Sequence, residues 1–564
     1  MRFGRKASLL LSLLVATSMF LAACGPKQGA TGGDKPADKP ADKPANVAKK
    51  PAVGGQVNLA LDKEPDSFNP ILYSTAYGAE IVQHIYDGLF EFNDNWEPQP
   101  HVAESWKISD DKLTFTIKIK EGIKFTDGAE LTAEDVAFTL MTIKHPDYTG
   151  PRAASLKDIE SVTATDKYTV TIKMKKPFAP IFTNINYGIM QKKLFEGTPV
   201  KDMDKNPVSM NPVGTGPYKL KEYVRGQYVI LERNPNWFAS KAKGGAPFIE
   251  TIMYKVIPDS QTQLAAVQNG EIDWINPEPA DVAMLEKDFK DKLTPYHYDR
   301  NGFGYIQINN TKPPLDNKLV RQALTYGLDR QAIIQGVMEG RATIPPGPIP
   351  PVSWAFDSSA KAYPYDPAKA KQLLEQAGYT MGANGIYEKD GKPLKLTFYG
   401  SSGSTLIEGI ATIARNNWKQ IGVELDVQLM DFNALTDNFT KPGKFDLSFG
   451  GMSLGLDPDS QYNLFHSSTG KPDAKGNVNG FNRSRYGNPT VDKLLEDARS
   501  EFDPAKRKQY YSEFQKIVID EAPVIIVYAN KYTDFVSSRI KGVRNFPGTG
   551  ADTAYVYQWY INEQ

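Results

Sequence analysis

The chain has 564 residues, with 66 Lys and Arg against 66 Asp and Glu, five His and one Cys. A net charge of zero with both signs interspersed excludes the basic footprint of a nucleic-acid binder, and a single cysteine excludes a disulfide framework. The roughly 510 residues beyond the N-terminal region exceed one ordinary core, so two or more lobes held by apolar burial are expected.

Arg2, Arg5 and Lys6 precede an apolar run from Ser8 to Phe20, which stops at Leu21, Ala22, Ala23 and Cys24. The run is too short and wrongly flanked for a membrane span and reads as a signal peptide over 1–23. Its last four residues match the bacterial lipobox, which makes Cys24 a lipid anchor; a plain secretory signal with an incidental cysteine is the alternative. Loss of the three basic residues leaves 63 basic against 66 acidic, a net charge of −3. Residues 24–52 form a linker whose DKPADKPADKPA repeat, Asp34 to Ala45, carries no apolar residue larger than alanine. Regular proline favours an extended spacer of roughly 3 Å per residue.

Gln56 to Leu61 reads as a strand, Asp66 to Pro70 as a turn, and Ala79 to Tyr86 as a helix ended by Gly88, with Ser74, Thr75 and Ala76 in the connection. Leu113 to Ile119 alternates as a strand, Asp127-Gly128 makes a turn, and Thr132 three residues before Asp135 starts a helix. The glycines and prolines of NPVGTGPYKL, Asn211 to Leu220, make a chain reversal. In Tyr365 to Tyr379, Asp366 caps, Pro367 opens the helix, Ala370, Leu373, Leu374 and Ala377 form its apolar face, and Gly378 closes it.

Lys444 to Ser468 concentrates the candidate binding chemistry. Phe445, Leu447 and Phe449 alternate with Asp446 and Ser448 as a strand expected to end near Gly450. Gly450 and Gly451 remove two side chains in a row, so another backbone can approach this edge. Asp457 and Asp459 flank Pro458, where a carboxylate can meet the ammonium of a bound chain or simply face solvent in a turn.

AESW (Ala103 to Trp106), the alternating strand, IKFTDG (Ile123 to Gly128), LTAEDVAFT (Leu131 to Thr139) and NPVGTGPYKL occur in this order. INNTKPPLDNKLVRQALTYGLDRQAII (Ile308 to Ile334) and YDPAKAKQLLEQAGY follow. Together they resemble the extracellular solute-binding proteins of family 5, the peptide and nickel class, which feed ATP-driven importers. The resemblance runs from about residue 55 to 564. It implies an α/β, bilobal periplasmic-binding-protein-like fold (type II, cluster C) with an extra inserted domain in the first lobe. Lobe I is then expected from 53–91, 212–305 and 525–564, the inserted subdomain from 92–211, and lobe II from 306–524. It implies an oligopeptide ligand enclosed between the lobes and permease subunits of an ABC transporter as partners; no cofactor is expected, and the scarcity of clustered histidines argues against a bound metal. A monomer held by the lipid on Cys24 at the extracellular face of the bacterial cell membrane is the implied setting.

In the oligopeptide-binding members an extended ligand pairs with strand edges of both lobes while an aspartate takes its ammonium; backbone recognition of this kind is indifferent to ligand sequence. The carried-over positions are Ser74, Thr75 and Ala76 in the first lobe and Gly450, Gly451 and Met452 in the second. Ser74 reads equally as a loop serine and Met452 as a core methionine. The familiar aspartate lies four residues before the proline, where this chain has Leu454, so Asp457 is the ammonium candidate by chemistry and Asp459 the fallback. Arginines that grip a ligand carboxylate in relatives are replaced by Phe439 and Phe449, and Phe432 falls where an aromatic lines a side-chain pocket, unless it is core.

An exported hydrolase is the rival class. His84, His101, His145, His297 and His466 form no HExxH, no G-x-S-x-G is present, and GSSGS at Gly400 to Ser404 has the wrong register. Nickel-chelate or oligosaccharide capture on the same fold remain open. Trp274, Trp354 and Trp418 show no spacing that implies a sugar platform.

Overall fold

The computed structural model describes residues 50–563; the signal segment, Cys24 and linker residues 24–49 lie outside the described residues. The alternation at Gln56–Leu61 buries Val57, Leu59 and Leu61. This strand pairs in parallel with Thr251–Val256, which continues antiparallel to Tyr228–Arg233 and then Tyr218–Val224. The core under this sheet also takes Ile81 and Ile85 from the helix Ala76–Ile85 and Val536, Val556 and Trp559 from the C-terminal segment. One lobe is thus assembled from N-terminal, middle and C-terminal pieces.

A second core belongs to the insertion. Strands Ala103–Ile108, Thr114–Ile119, Thr169–Met174 and Ile159–Asp166 lie in that spatial order as an antiparallel sheet. Helix Ala133–Lys144 starts with the anticipated capping box, in which the Thr132 amide donates to Asp135 Oδ2 at 2.8 Å. Phe115, Ile117, Val136 and Leu140 are buried in this core.

Lobe II is built around Gly302–Ile308, every residue of which is buried. It pairs antiparallel with Leu447–Ser453 on one side and with the start of Val524–Ser537 on the other. Lys395–Ser401 and Glu424–Met430 extend the sheet in parallel. Helix Pro367–Gln376 packs Ala370, Leu373 and Leu374 into this core, and Asp366 accepts the Lys369 amide at 2.8 Å.

The strand Val524–Ser537 joins the lobes. Its first half pairs with Gly304–Gln307 in lobe II, and Lys531–Ser537 pairs with Leu293–Asp299 in lobe I. The chain crosses at Arg300–Asn301 and at Ala529–Asn530, tied by the Arg300 amide donating to Asn530 O at 3.0 Å. Strands of the lobe II sheet reach back to Gly302 and forward to Ala529 and Asn530, which pair with Ala342–Thr343, so the sheet extends past 306 and 524 on both sides. The ladder Ser453↔Gly302 to Leu447↔Ile308 is unbroken, so the strand belongs to lobe II along its whole length.

Candidate functional site

The floor of the inter-lobe cleft is the segment 451–457. Strand Leu447–Ser453 runs through both glycines instead of stopping near Gly450, because the facing Gly302, Phe303 and Gly304 keep the ladder in register. One of its edges is fully paired. On the other, only Leu447 and Ser448 pair, with Phe398 and Tyr399. Among the described residues Phe449 to Ser453 have no strand partner on that edge, which leaves backbone donors and acceptors open for an added strand.

The two glycines differ in why they are glycine. A Cβ at Gly450 would meet Gln307 Nε2 at 2.7 Å and the Tyr305 ring at 2.9 Å, so internal packing demands the small residue. At Gly451 a Cβ would meet nothing within 4 Å, and its φ lies outside the left-handed region. Neither packing nor conformation requires glycine there, and the empty space leaves room for another backbone to approach this edge.

Three cavities adjoin along this segment. The first, about 250 Å³, is lined by Gly451, Met452, Arg300, Tyr528 and Tyr532. The second, about 410 Å³, shares Arg300 and Ser453 with it and is walled on the lobe I side by Trp274, Asn276, Tyr298 and Asp552. The third, about 640 Å³, shares Trp96 and Leu456 with the second and lies between Phe182 of the insertion and Trp354, Phe502 and Lys508 of lobe II. Both lobes contribute to the second and third.

Asp457 lines the third cavity, but both its oxygens are held by Arg507, Nη1 and Nη2 each at 2.8 Å. Asp459 is clasped likewise by Arg499, at 2.7 and 2.8 Å, and the Arg499 guanidinium sits 3.5 Å over the Tyr462 ring. Burial raises the Asp459 carboxyl above its ordinary range, with Arg499 pulling the other way. The expectation of a free carboxylate at this turn is corrected: each aspartate arrives already neutralised, by an arginine forty or fifty residues further along. The arginines come from helices Pro489–Ser500 and Pro504–Glu521, whose approach to the turn is a tertiary fact.

Ser74, Thr75 and Ala76 form no strand. Asp66 accepts the Ser74 amide at 2.6 Å and both the Ser74 and Thr75 hydroxyls, and Thr75 accepts the Gly78 amide as N-cap of helix Ala76–Ile85. A serine and threonine beside a helix start satisfy orphan amides, so the expected first-lobe strand edge is instead a cap. Met452 is half-buried and lines the first cavity. Phe432 is 62% exposed, so it is not core, and it lines none of the three cavities. Phe439 stacks on Tyr399 and Phe449 on Tyr528, aromatic contacts in place of guanidinium charge.

Several lining residues escaped the sequence reading: Trp96, Arg300, Asn301, Phe502, Tyr532 and Asp552. They come from loops, the hinge crossing and the strand Val524–Ser537, and share no spacing. Trp96, with φ +64°, sits in an Asn-Asp-Asn turn that announces only a loop.

Two lobes joined by crossing strands, with an open strand edge on the cleft floor, define a protein that closes on a solute. Residues 97–473 match the family described as bacterial extracellular solute-binding proteins, family 5 (middle), and the chain belongs to that family. The oligopeptide-binding protein AppA of Bacillus subtilis (strain 168) is 32% identical over 572 residues, covering 100% of both chains. The solved structure of B. subtilis AppA in complex with a nonapeptide shares 30% identity and a TM-score of 0.70, over 91% of this chain and 100% of that one. Campylobacter jejuni NikZ in complex with Ni(L-His) shares 27% identity and a TM-score of 0.72, over 90% and 99%.

Proposed function

We propose that this protein captures oligopeptides in extended form between its lobes and delivers them to the permease of an ATP-driven importer, doing no chemistry on them. The observation that carries this reading is the open edge Phe449 to Ser453, with Gly451 bare toward the cleft. A ligand backbone added there makes sequence-independent hydrogen bonds, while the adjoining cavities take side chains of many shapes. Gly450, Gly451 and Met452 are the proposed backbone contacts. Similarity to AppA along the full chain supports the peptide class. Closure about Arg300–Asn301 and Ala529–Asn530 is the proposed motion, and a lipid on Cys24 the proposed tether to the extracellular face of the bacterial membrane.

The test is to purify the body lacking residues 1–24, denature it, and identify what it releases by mass spectrometry. Unrelated peptides sharing a narrow length range are the expected result. A second reading, a metal chelate, is favoured by similarity to NikZ; release of a nickel complex of a small ligand would replace the peptide reading while keeping the transport role.

A further inference from the structure

Three carboxylates surround the second cavity with only neutral partners. Asp552 lines it, half-buried, and accepts the Ala554 amide at 2.9 Å. Asp534, fully buried, accepts from Asn276 Nδ2 at 2.8 Å, the Ala551 amide at 2.9 Å and Tyr298 Oη at 3.4 Å. Glu80 accepts from the Thr553 hydroxyl and from Tyr254 Oη at 3.2 Å. Asn276, Tyr298 and Thr553 themselves line the cavity, so Asp534 and Glu80 stand one side chain behind its wall. Among the described residues none of the three acids makes an ion pair. Arg300 also lines the cavity, but its guanidinium lies 5.3 Å from the Tyr532 ring and pairs with none of them.

A second observation is independent of charge. Asn301, 8% exposed, lines the same cavity from the hinge. Its Nδ2 donates to Gly455 O at 2.8 Å and Leu454 O at 3.4 Å, which fixes the amide orientation, since a flipped amide would set oxygen against oxygen. Its Oδ1 is buried and accepts no hydrogen bond. An orphan acceptor of this kind costs free energy unless something donates to it.

We propose that this cavity, walled by Asp552, Asn301, Asn276, Tyr298, Thr549 and Thr553, receives a cationic N–H group of the bound solute, an ammonium or a guanidinium. Such a group supplies both what the carboxylates lack, a positive charge, and what Asn301 lacks, a donor. Burial lifts Glu80 and Asp534 to about 7, and the Asp552 charge adds to this, so an incoming cation also favours their ionisation. Where the solute is a peptide, which rests on the reading above, the cation is its N-terminal ammonium or a Lys or Arg side chain.

The test is calorimetric, on the body lacking residues 1–24. The probes are pentaalanine, N-acetyl-pentaalanine, and N-acetyl-pentaalanine carrying one Lys or one norleucine at each position in turn. Asp552→Asn keeps an acceptor for Ala554 and removes the charge. It is expected to weaken the cationic member of one matched pair ten- to hundredfold and leave the neutral member unchanged. The affected pair names the source, terminal or side chain. Thr549→Lys, which supplies a resident cation, is expected to cause the same selective loss and stands in if Asp552→Asn fails to fold. Equal loss for cationic and neutral probes, or none for either, overturns the pocket while leaving peptide binding intact. If no probe binds the unmodified protein, the pocket is judged on the molecules released by denaturation: basic groups on them support it, and exclusively neutral or anionic molecules overturn it.

Discussion

On the lobe II wall of the cleft, Asp457 and Asp459 are each clasped by an arginine; on the lobe I side, Asp534, Asp552 and Glu80 are held only by amides, hydroxyls and a carboxamide. The first pair is conspicuous in the sequence, on either side of a proline, and is spent on holding helices Pro489–Ser500 and Pro504–Glu521 to the turn. The second group is scattered over more than 470 positions, from Glu80 to Asp552, and converges on one cavity. The difference teaches that a carboxylate's availability depends on what already neutralises it. An acid that no arginine neutralises is free to ionise when a cation arrives.

The largest expected effect is at the clasped pair. Arg507→Ala leaves Asp457 largely buried and unpaired, and chemical denaturation is expected to show a loss of about 3–5 kcal/mol. A loss under about 1 kcal/mol would mean the pair behaves as a solvated surface bridge. The open group answers to pH. Glu80 sits near 7 in the folded protein against about 4.3 for an unfolded chain. It stays protonated when folded and ionises when unfolded, so its contribution to stability falls as pH rises from about 4 to 7 and levels off above. Glu80→Gln is expected to flatten that slope by on the order of 2–3 kcal/mol, measured as denaturation midpoints at pH 5 and 8; an unchanged slope would show that Glu80 is ionised in the native state.

Smaller in stability but decisive for binding, Gly451→Val places a branched side chain where the open edge faces the cleft. Folding should change by under about 1 kcal/mol because a strand tolerates valine and the space is empty, while peptide affinity should fall at least about tenfold. Retained affinity would remove this edge from the site. The smallest expected difference is in the double variant Asp457→Ala with Arg507→Ala, where free-amine and acetylated peptides should lose affinity equally, since the pair it removes carries no net charge. A greater loss for the free amine would restore Asp457 as an ammonium partner.

Local signals were legible in the sequence. Gln56–Leu61 and Thr114–Ile119 alternate as strands do, Thr132 and Asp135 form their capping box, and Asp366 and Pro367 open a helix whose buried face is Ala370, Leu373 and Leu374. Each depends on residues within one turn or one strand. The candidate site was legible only in part, because the Gly450-Gly451 break was visible but its direction was not. Strand Leu447–Ser453 extends past the glycines owing to its partner at Gly302–Gly304, about 150 residues away. Thr75 caps a helix because Asp66 folds back on Ser74 and Thr75.

By itself, the sequence determined the local elements, the strand alternations, the helix caps and the position of the paired glycines, since hydrophobic period, caps and glycine act over a few residues. Tertiary structure alone decided which acids are neutralised, which cavities join, and which side chains share a wall. Electrostatic neutralisation and cavity shape depend on distances of a few ångströms between residues hundreds of positions apart, and no local pattern encodes those.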